Sequence, residues 1–538
     1  MNVKIYQLSS LTKVFPDKIY GNESDGRTVF KGQTASFQVA IMGNGDYTFD
    51  IESELSSYIS VYKVGYVPSA MPAYPHSHDD NYLTVDGGMF PDPLFPKEDN
   101  TISLTEGEYY TLWINFVLPS DIEAKKYPTV FRLFKDGAEI DSRVFTLDVR
   151  NEALGDKEIV FTQWFHTDCI ADVHGVEVFS EKHWALIEKY LKLAADHGMN
   201  MVLVPLFTPP LDTEVGGERT TVQLVDVVKK NGEYSFNTEK LTRFINLATG
   251  CGIRFFELSH FFTQWGAAAT PKIMATVDGE YKRIFGWDVE ATAPEYAEFL
   301  SEFIPAVHRV FDECGIERSR IYMHVSDEPN DKNLESYKKA HEILMPLLDG
   351  CIHIDALSHF EFLEKKLIDV PVVGIDALEP FIESGAQNIW CYYCCAQSKL
   401  VANRFFGMPS ARNRIIGTQI FKYGMKGFLH WGYNFYNSQF SKSKINPYLI
   451  TDAGGAFPSG DAFSVYPYGD GVIPSLRMKV FTEALDDIRA LKLAEARLGR
   501  DKVNALIDEA AGCNITFKEY PKNEAFFEEL YKKLAKNV

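Results

Sequence analysis

Across residues 1–150, apolar and polar positions alternate with a period of two, the signature of strands with one buried face. Phe37–Met42 shows the pattern, and Tyr110–Leu118 follows. Thr129–Phe134 runs into Lys135-Asp136-Gly137, a hairpin signal, with Arg143–Val149 as the partner strand. Short strands at close spacing predict a β-sandwich. Between them, Met71–Asp99 is rich in proline and contains Phe90-Pro-Asp-Pro-Leu-Phe-Pro96. It is too long for a simple turn, which points to a role at an interface.

From about residue 158 the rhythm changes to strand followed by helix. The candidate strands are Ile159–His166, Met201–Leu206, Ile253–Leu258, Arg320–Ser326, Cys351–Asp355, Val370–Ile375, Asn388–Tyr393 and Gly427–Tyr433. Helical patterns lie between most of them. Glu181–His197 has Ser180 as its N-cap and Gly198 at its end. Pro294–Cys314 carries Tyr296, Phe299, Leu300, Phe303, Ile304 and Val307 on one stripe. Ala411–Tyr423 and Ser475–Leu498 flank the last strand. Repeated strand–helix units predict an α/β fold with a (β/α)8, TIM-like barrel. An open doubly wound sheet is the alternative, but no Gly-rich phosphate loop follows the first strand. The expected division is an N-terminal β-sandwich over 1–152, the barrel over 153–498, and C-terminal helices over 499–538 packing on the barrel. Three strand-end segments are long: Thr208–Asn237, Phe261–Ala293 and Asn434–Pro474. On the carboxyl face of a barrel, such insertions wall a binding site.

The fourth candidate strand ends in two adjacent acids, Asp327 and Glu328, followed by Pro329. Acids at the carboxyl end of a barrel strand stand where barrels keep their chemistry. Acids are also common at helix N-termini, where the dipole favours them, so the pair alone leaves both readings open. Regular alternation would send the two side chains to opposite faces. Joint action therefore requires the strand to end or twist at Ser326-Asp327.

The 538 residues are 46% hydrophobic and 24% charged, the balance of a folded globular protein. A net charge of −20 works against nucleic acid and anionic membranes as partners. No apolar run approaches the about 20 residues of a membrane span. Aromatics at 14% suit either a large core or sugar-stacking faces. No basic segment followed by an apolar stretch opens the chain, so the expectation is a cytoplasmic protein; a chain trimmed of its signal would read the same. The eight cysteines are mostly scattered, which suits reduced thiols. Cys391 and Cys394 have CxxC spacing but no second ligand pair, so buried thiols are expected, with no metal and no cofactor.

In a barrel the strand ends would project into one pocket. Strand one offers Trp164, His166 and Asp168; strand three offers His260, with Gln264 and Trp265 beyond it. Strands four, five and six end at Asp327 and Glu328, Asp355 and Asp376. Strand seven offers Trp390, Tyr392 and Tyr393, then Asn403 and Arg404; strand eight offers Trp431, Tyr433 and Asn434. Strand Trp and Tyr often fill cores, and a single His is often a hydrogen-bonded core residue. Their convergence on one rim nevertheless describes a neutral, hydroxyl-rich ligand such as a sugar. Glycoside hydrolysis commonly uses two carboxyl groups. Many sugar-cleaving barrels place the nucleophile on strand seven, which here ends Tyr392-Tyr393-Cys394. Adjacent acids fit another division, in which a 2-acetamido group on the substrate attacks the anomeric carbon. One carboxylate then holds that amide while the other protonates the leaving oxygen.

These segments resemble glycoside hydrolase family 123. The resemblance rests on Gln163–Asp168, Val325–Pro329, Gly427–Asn434, Gly460–Pro467 running into Pro474–Arg477, and Pro91–Pro96, and spans about residues 90–495. It implies a retaining exo-β-N-acetylgalactosaminidase working through an oxazoline on a terminal β-linked N-acetylhexosamine of a glycan. Asp327 would orient the acetamido group and Glu328 would be the general acid/base. The expected sugar-binding residues are Trp164, His166, Asp168, His260, Trp390, Tyr392, Tyr393, Trp431, Tyr433 and Asn434. Two alternatives stay open: a barrel glycosidase on a sugar without a 2-acetamido group, with Asp355 or Asp376 as nucleophile, and a non-catalytic carbohydrate-binding protein.

Overall fold

The computed structural model describes residues 3–538. Residues up to Ala153 form two five-stranded sheets. One contains Lys4–Ser9, Thr34–Met42, Tyr109–Val117, Ile59–Ser69 and Gly88–Pro96; the other Gly26–Lys31, Ala138–Ala153, Lys126–Lys135, Gly45–Ser53 and Thr101–Leu104. Their facing side chains make a separate core, in which Phe37 stacks on Phe145 at 4.3 Å between centroids. The Lys135–Ala138 hairpin turns through Asp136 and Gly137, both with positive φ, as the Asp-Gly pair requires.

Eight parallel strands follow: Val160–Gln163, Met201–Val204, Phe255–Leu258, Ile321–Met323, Ile352–Leu357, Val370–Gly374, Trp390–Tyr392 and Gly427–His430, here called barrel strands one to eight. Most are shorter than their apolar patterns, because the chain leaves the ladder once it reaches the rim; strand five runs two residues further. Alternation divides their side chains cleanly. Val160, Met201, Leu203, Tyr322, Ile354, Val372, Trp390 and Leu429 fill the barrel interior. Phe161, Val202, Phe256, Met323, Cys391 and Phe428 pack outward in the core under the helices. Trp390 crosses the interior against Tyr322 at 5.3 Å. Its neighbour is Gly427, where a Cβ would meet the indole at 2.1 Å.

Hydrogen-bonded ladders run from strand two through seven to strand eight, and then to strand one. Among the described residues no ladder joins strands one and two; Asn200 closes that seam. Its N–H donates to Phe161 O (3.1 Å), its Oδ1 accepts from Phe161 N (2.8 Å), and its Nδ2 donates to Ile159 O (2.9 Å). One side chain thus imitates a strand pair.

The first two long insertions fold together. Asp226–Lys230 and Glu233–Asn237 from one join Ile273–Val277 and Glu280–Phe285 from the other in a four-stranded sheet. The proline-rich stretch is an internal interface. Asp92 is buried and takes a bidentate pair from Arg477 (both 2.8 Å) and the hydroxyl of Tyr466 (2.5 Å), tying the sandwich to the barrel. The C-terminal helix Ala525–Asn537 touches both parts: Tyr531 donates to Asp487 (2.9 Å) and accepts from Gln33 (2.7 Å). Among the described residues no helix is long and apolar enough to cross a membrane.

Replacing Asn200 with Ala strands the buried N–H of Phe161 and C=O of Ile159. The expected loss is about 2–6 kcal/mol, at the 1–3 kcal/mol typical of each of the two unmet buried groups. A urea midpoint unchanged from wild type would show that the seam is held by something else.

Candidate active site

Strand four stops at Met323, and the next five residues turn over the barrel mouth. Glu328 is the pivot. Its φ is +45°, in the left-handed region, and its N–H donates to Ala356 O on strand five (3.1 Å). The preceding Asp327 accepts the Trp265 N–H on its own carbonyl (2.8 Å). A non-glycine residue in this conformation costs about 1–3 kcal/mol and persists only where its surroundings enforce it. The turn breaks the alternation, and both carboxyl groups reach one pocket of about 290 Å³.

Asp355 on strand five enforces the turn. Its Oδ2 lies 3.3 and 3.4 Å from the N–H groups of Val325 and Ser326, and accepts the Tyr337 hydroxyl at 2.6 Å. His353 Nε2 is 3.3 Å away. Its Oδ1 meets Nδ1 of His324 at 3.1 Å, while Nε2 of His324 meets Glu257 at 2.6 Å. Glu257 also accepts Thr162 (3.0 Å) and the indole N–H of Trp164 (2.7 Å). Burial works against charge on His324, but the hydrogen bonds it donates to Asp355 and Glu257 prevail and raise it to about 9, so it is an imidazolium at neutral pH. Burial likewise opposes charge on Asp355, and the bonds from His324 and His353 reverse it, holding this carboxyl below the usual range. His260, His324 and Asp355 place ligand atoms within 4.8 Å of one another. They make a poor metal cage. The two imidazoles stack at 4.1 Å and 21°, so their in-plane lone pairs run side by side, and both nitrogens of His324 face carboxylates.

The pocket floor and walls come from Trp164, Ala356, Tyr392, Cys394, Cys395, Leu429 and Trp431 at the barrel rim. The three long insertions supply the rest: Leu211 and Asp212, Gln264 and Trp265, and Gln439, Phe440 and Phe457. Among the described residues no Lys, Arg or His lines it. Burial raises Asp327 well above the usual carboxyl range, and the charge of Glu328 adds to this. Burial also raises Glu328; the Tyr392 hydroxyl on its Oε1 (2.8 Å) opposes the rise and the charge of Asp376 adds to it. A carboxyl lifted in this way keeps its proton to higher pH than a free carboxyl, which is what a general acid requires. A larger crevice of about 520 Å³ lies between the sandwich and the C-terminal helix; its two arginines, Arg27 and Arg414, are paired with Glu483.

Of the expected sugar-binding residues, Trp164, Tyr392 and Trp431 line the pocket, and Asp461 holds the Trp431 indole N–H at 2.9 Å. The other seven do not. Trp390 has the interior parity but sits one layer down, as barrel filling. Tyr393 has the outward parity and bonds Asn413 on the helix Ser410–Tyr423 (3.1 Å). Tyr433 lies beyond the end of strand eight and turns outward to the carbonyl of Tyr190 (2.9 Å). Asn434 and His166 clamp two strand ends: His166 N–H donates to Asn434 Oδ1 (2.8 Å) and Asn434 Nδ2 to His166 O (3.0 Å). The His166 ring, kept neutral by burial and by Arg219, bonds the carbonyl of Trp431 (2.9 Å). Asp168 is spent on a buried bidentate pair with Arg219 (2.7 and 2.8 Å). His260 lies below the pocket, edge-on to Trp164. Asn403 and Arg404 are buried braces; Arg404 bonds Gln163 (2.6 Å) and the carbonyl of Asp461 (2.8 Å). Neither Asp355 nor Asp376 lines the pocket; Asp376 is exposed and bonded to Gln397 (2.8 Å). The sequence reading missed Asp212, Gln439, Phe440 and Phe457. Their only signal was membership of the long insertions.

A family model described as glycoside hydrolase 123, catalytic domain, matches residues 164–494, more than half of the chain. The chain belongs to glycoside hydrolase family 123. It is a glycosidase, and its substrate is a carbohydrate. The fold agrees: a solved family 123 glycoside hydrolase from Clostridium perfringens, studied for glycolipid glycan hydrolysis, superposes with a TM-score of 0.74 at 13% identity, covering 99% of this chain and 98% of that one. A β-D-glucuronidase from Dictyoglomus thermophilum reaches a TM-score of only 0.32 at 8% identity, over 90% and 97% of the two chains, too low to carry an argument. Comparison with curated protein sequences gives no match.

The pair of contacts on Glu328 sets opposite expectations for the alkaline limb of kcat/KM. Activity needs protonated Glu328, so it falls as pH rises through the raised pKa. Tyr392→Phe removes a bond to the ionised form and should move the fall to higher pH. Asp376→Asn removes a repelling charge and should move it to lower pH, by less because Asp376 is exposed. Shifts of the same sign in a pH–rate profile would sink the assignment.

Proposed function

We propose that this glycosidase is a retaining, exo-acting β-N-acetylgalactosaminidase that uses the 2-acetamido group of its substrate as the nucleophile. The observation that supports it most is the adjacent pair in one pocket, with strand seven presenting Tyr392 and Cys394 where many barrels present a carboxylate. Glu328 gives its proton to the glycosidic oxygen as the acetamido oxygen attacks C1 and the C1–O bond breaks. Asp327 accepts the amide N–H and holds the acetamido group in line with C1 as the oxazoline ring closes. Water then attacks C1 from the vacated face and gives its proton to Glu328, so the configuration is retained. The pocket volume lies at the small end of the roughly 300–1,000 Å³ of ligand sites, which fits one terminal ring. A glycolipid glycan, the material named for the Clostridium perfringens relative, is a candidate source of that ring.

A second reading draws on Asp212, which also lines the pocket: direct displacement on a sugar with no acetamido group, with Asp212 as nucleophile. Aryl β-glycosides differing only at C2 and C4 separate the two. The expected result is turnover only with a 2-acetamido group, and inhibition by a thiazoline mimic of the oxazoline. Glu328→Gln should lower the rate about 10²- to 10⁴-fold on a poor leaving group and far less on an activated one. A 2-fluoro sugar that left a stable adduct on Asp212, Asp355 or Asp376 would overturn the proposal.

A further inference from the structure

One stretch of the pocket wall is built by two insertions that grip each other. Glu214 N–H donates to Phe440 O (3.0 Å), Phe440 N–H to Asp212 Oδ2 (3.1 Å), and the Ser441 hydroxyl to Asp212 O (2.7 Å). Asp212, Phe440 and Ser441 all have left-handed backbones, with φ of +39°, +59° and +54°. Held in this way, Asp212 leaves Oδ1 without a hydrogen bond among the described residues, and the side-chain amide of Gln439 is equally unpartnered. Both residues line the pocket. Burial raises Asp212 to about 6, against the Phe440 N–H and the charge of Arg219, so it is ionised at neutral pH.

The position of Asp212 relative to the acid pair follows from contacts. Its neighbour Thr213 accepts the Gln264 side-chain amide on its carbonyl (2.9 Å), and Trp265, next to Gln264, donates its N–H to Asp327 O (2.8 Å) and packs edge-on to Phe440 at 5.7 Å, whereas Glu328 is held from strand seven by Tyr392 (2.8 Å). Asp212 therefore stands on the Asp327 side of the pocket. On the reading above, which this inference rests on, Glu328 serves the oxygen at C1 and Asp327 the group at C2. Continuing around the ring in the same sense brings C3 and C4 to Asp212 and Gln439.

We infer that Asp212, with Gln439 beside it, grips the C3 and C4 hydroxyls of the terminal sugar and sets the choice between the two C4 epimers. A hydroxyl both donates and accepts. An ionised carboxylate offers the strongest acceptor, and an amide beside it offers a donor. Such a pair meets an axial and an equatorial C4 hydroxyl differently, and it repels a sulfate or carboxylate in either place.

The test is Asp212→Asn on aryl β-glycosides of both C4 epimers, in the 2-acetamido and the 2-hydroxy series. Asn keeps an oxygen for the Phe440 N–H, so the wall keeps its shape, but it turns a donor toward the sugar. The expected result is a fall of about tenfold to a hundredfold in kcat/KM for the preferred epimer, from the loss of a hydrogen bond to a charged group, seen mainly in KM and with a changed epimer ratio. An equal fall for both epimers would mean a merely structural residue, and no change would mean no contact. A collapse of kcat at constant KM would make Asp212 the nucleophile. Each of these overturns the inference. Wild-type turnover confined to the 2-hydroxy series would instead sink the acetamido mechanism, while the C4 ratio would still be read there.

Discussion

The carboxylate of Asp355 is fully buried between strands four and five, and the shape of the active site follows from what keeps it there. An isolated buried charge is severely unfavourable, so Asp355 requires a cation beside it. That cation is His324, whose own burial is tolerable because Glu257 sits on its other nitrogen. Glu257 in turn holds the indole of Trp164, which is pocket floor. The remaining lone pairs of Asp355 face the backbone of Val325 and Ser326 just before the catalytic turn. Five groups on four strands thus depend on one another, and the left-handed Glu328 is their product.

The barrel was legible because it is repetitive. Its strands carry one alternating pattern, and the interior and outward sets separate by parity alone. The acid pair was legible for a related reason: the same alternation showed that Asp327 and Glu328 could work together only across a break, and the break is there. The rim was harder to read. Sequence position says that a residue is near a strand end, but not which layer it occupies or whether the chain has already turned outward. Trp390 and Trp431 look equivalent in sequence, yet one is a layer below the other. Asp168 and His166 looked like ligand-binding groups because Arg219, which occupies both, lies in a distant insertion.

The insertions illustrate the same limit from the other side. Asp212 and Phe440 are 228 residues apart and meet through one backbone N–H. Neither carries a periodic signal, because irregular loops are stabilised by individual contacts rather than by a repeated face.

The absence of Lys, Arg and His from the pocket lining, among the described residues, has a consequence for turnover itself. Glycosidic cleavage passes through a sugar ring with oxocarbenium character, which is positively charged, whereas substrate and product rings are neutral. A cavity lined by the carboxyl groups of Asp212, Asp327 and Glu328, and walled by aromatic faces whose π electrons attract positive charge, favours that fleeting cation over both neutral end states. The freed sugar is neutral again, so it loses this extra attraction and is held by its hydroxyl contacts alone.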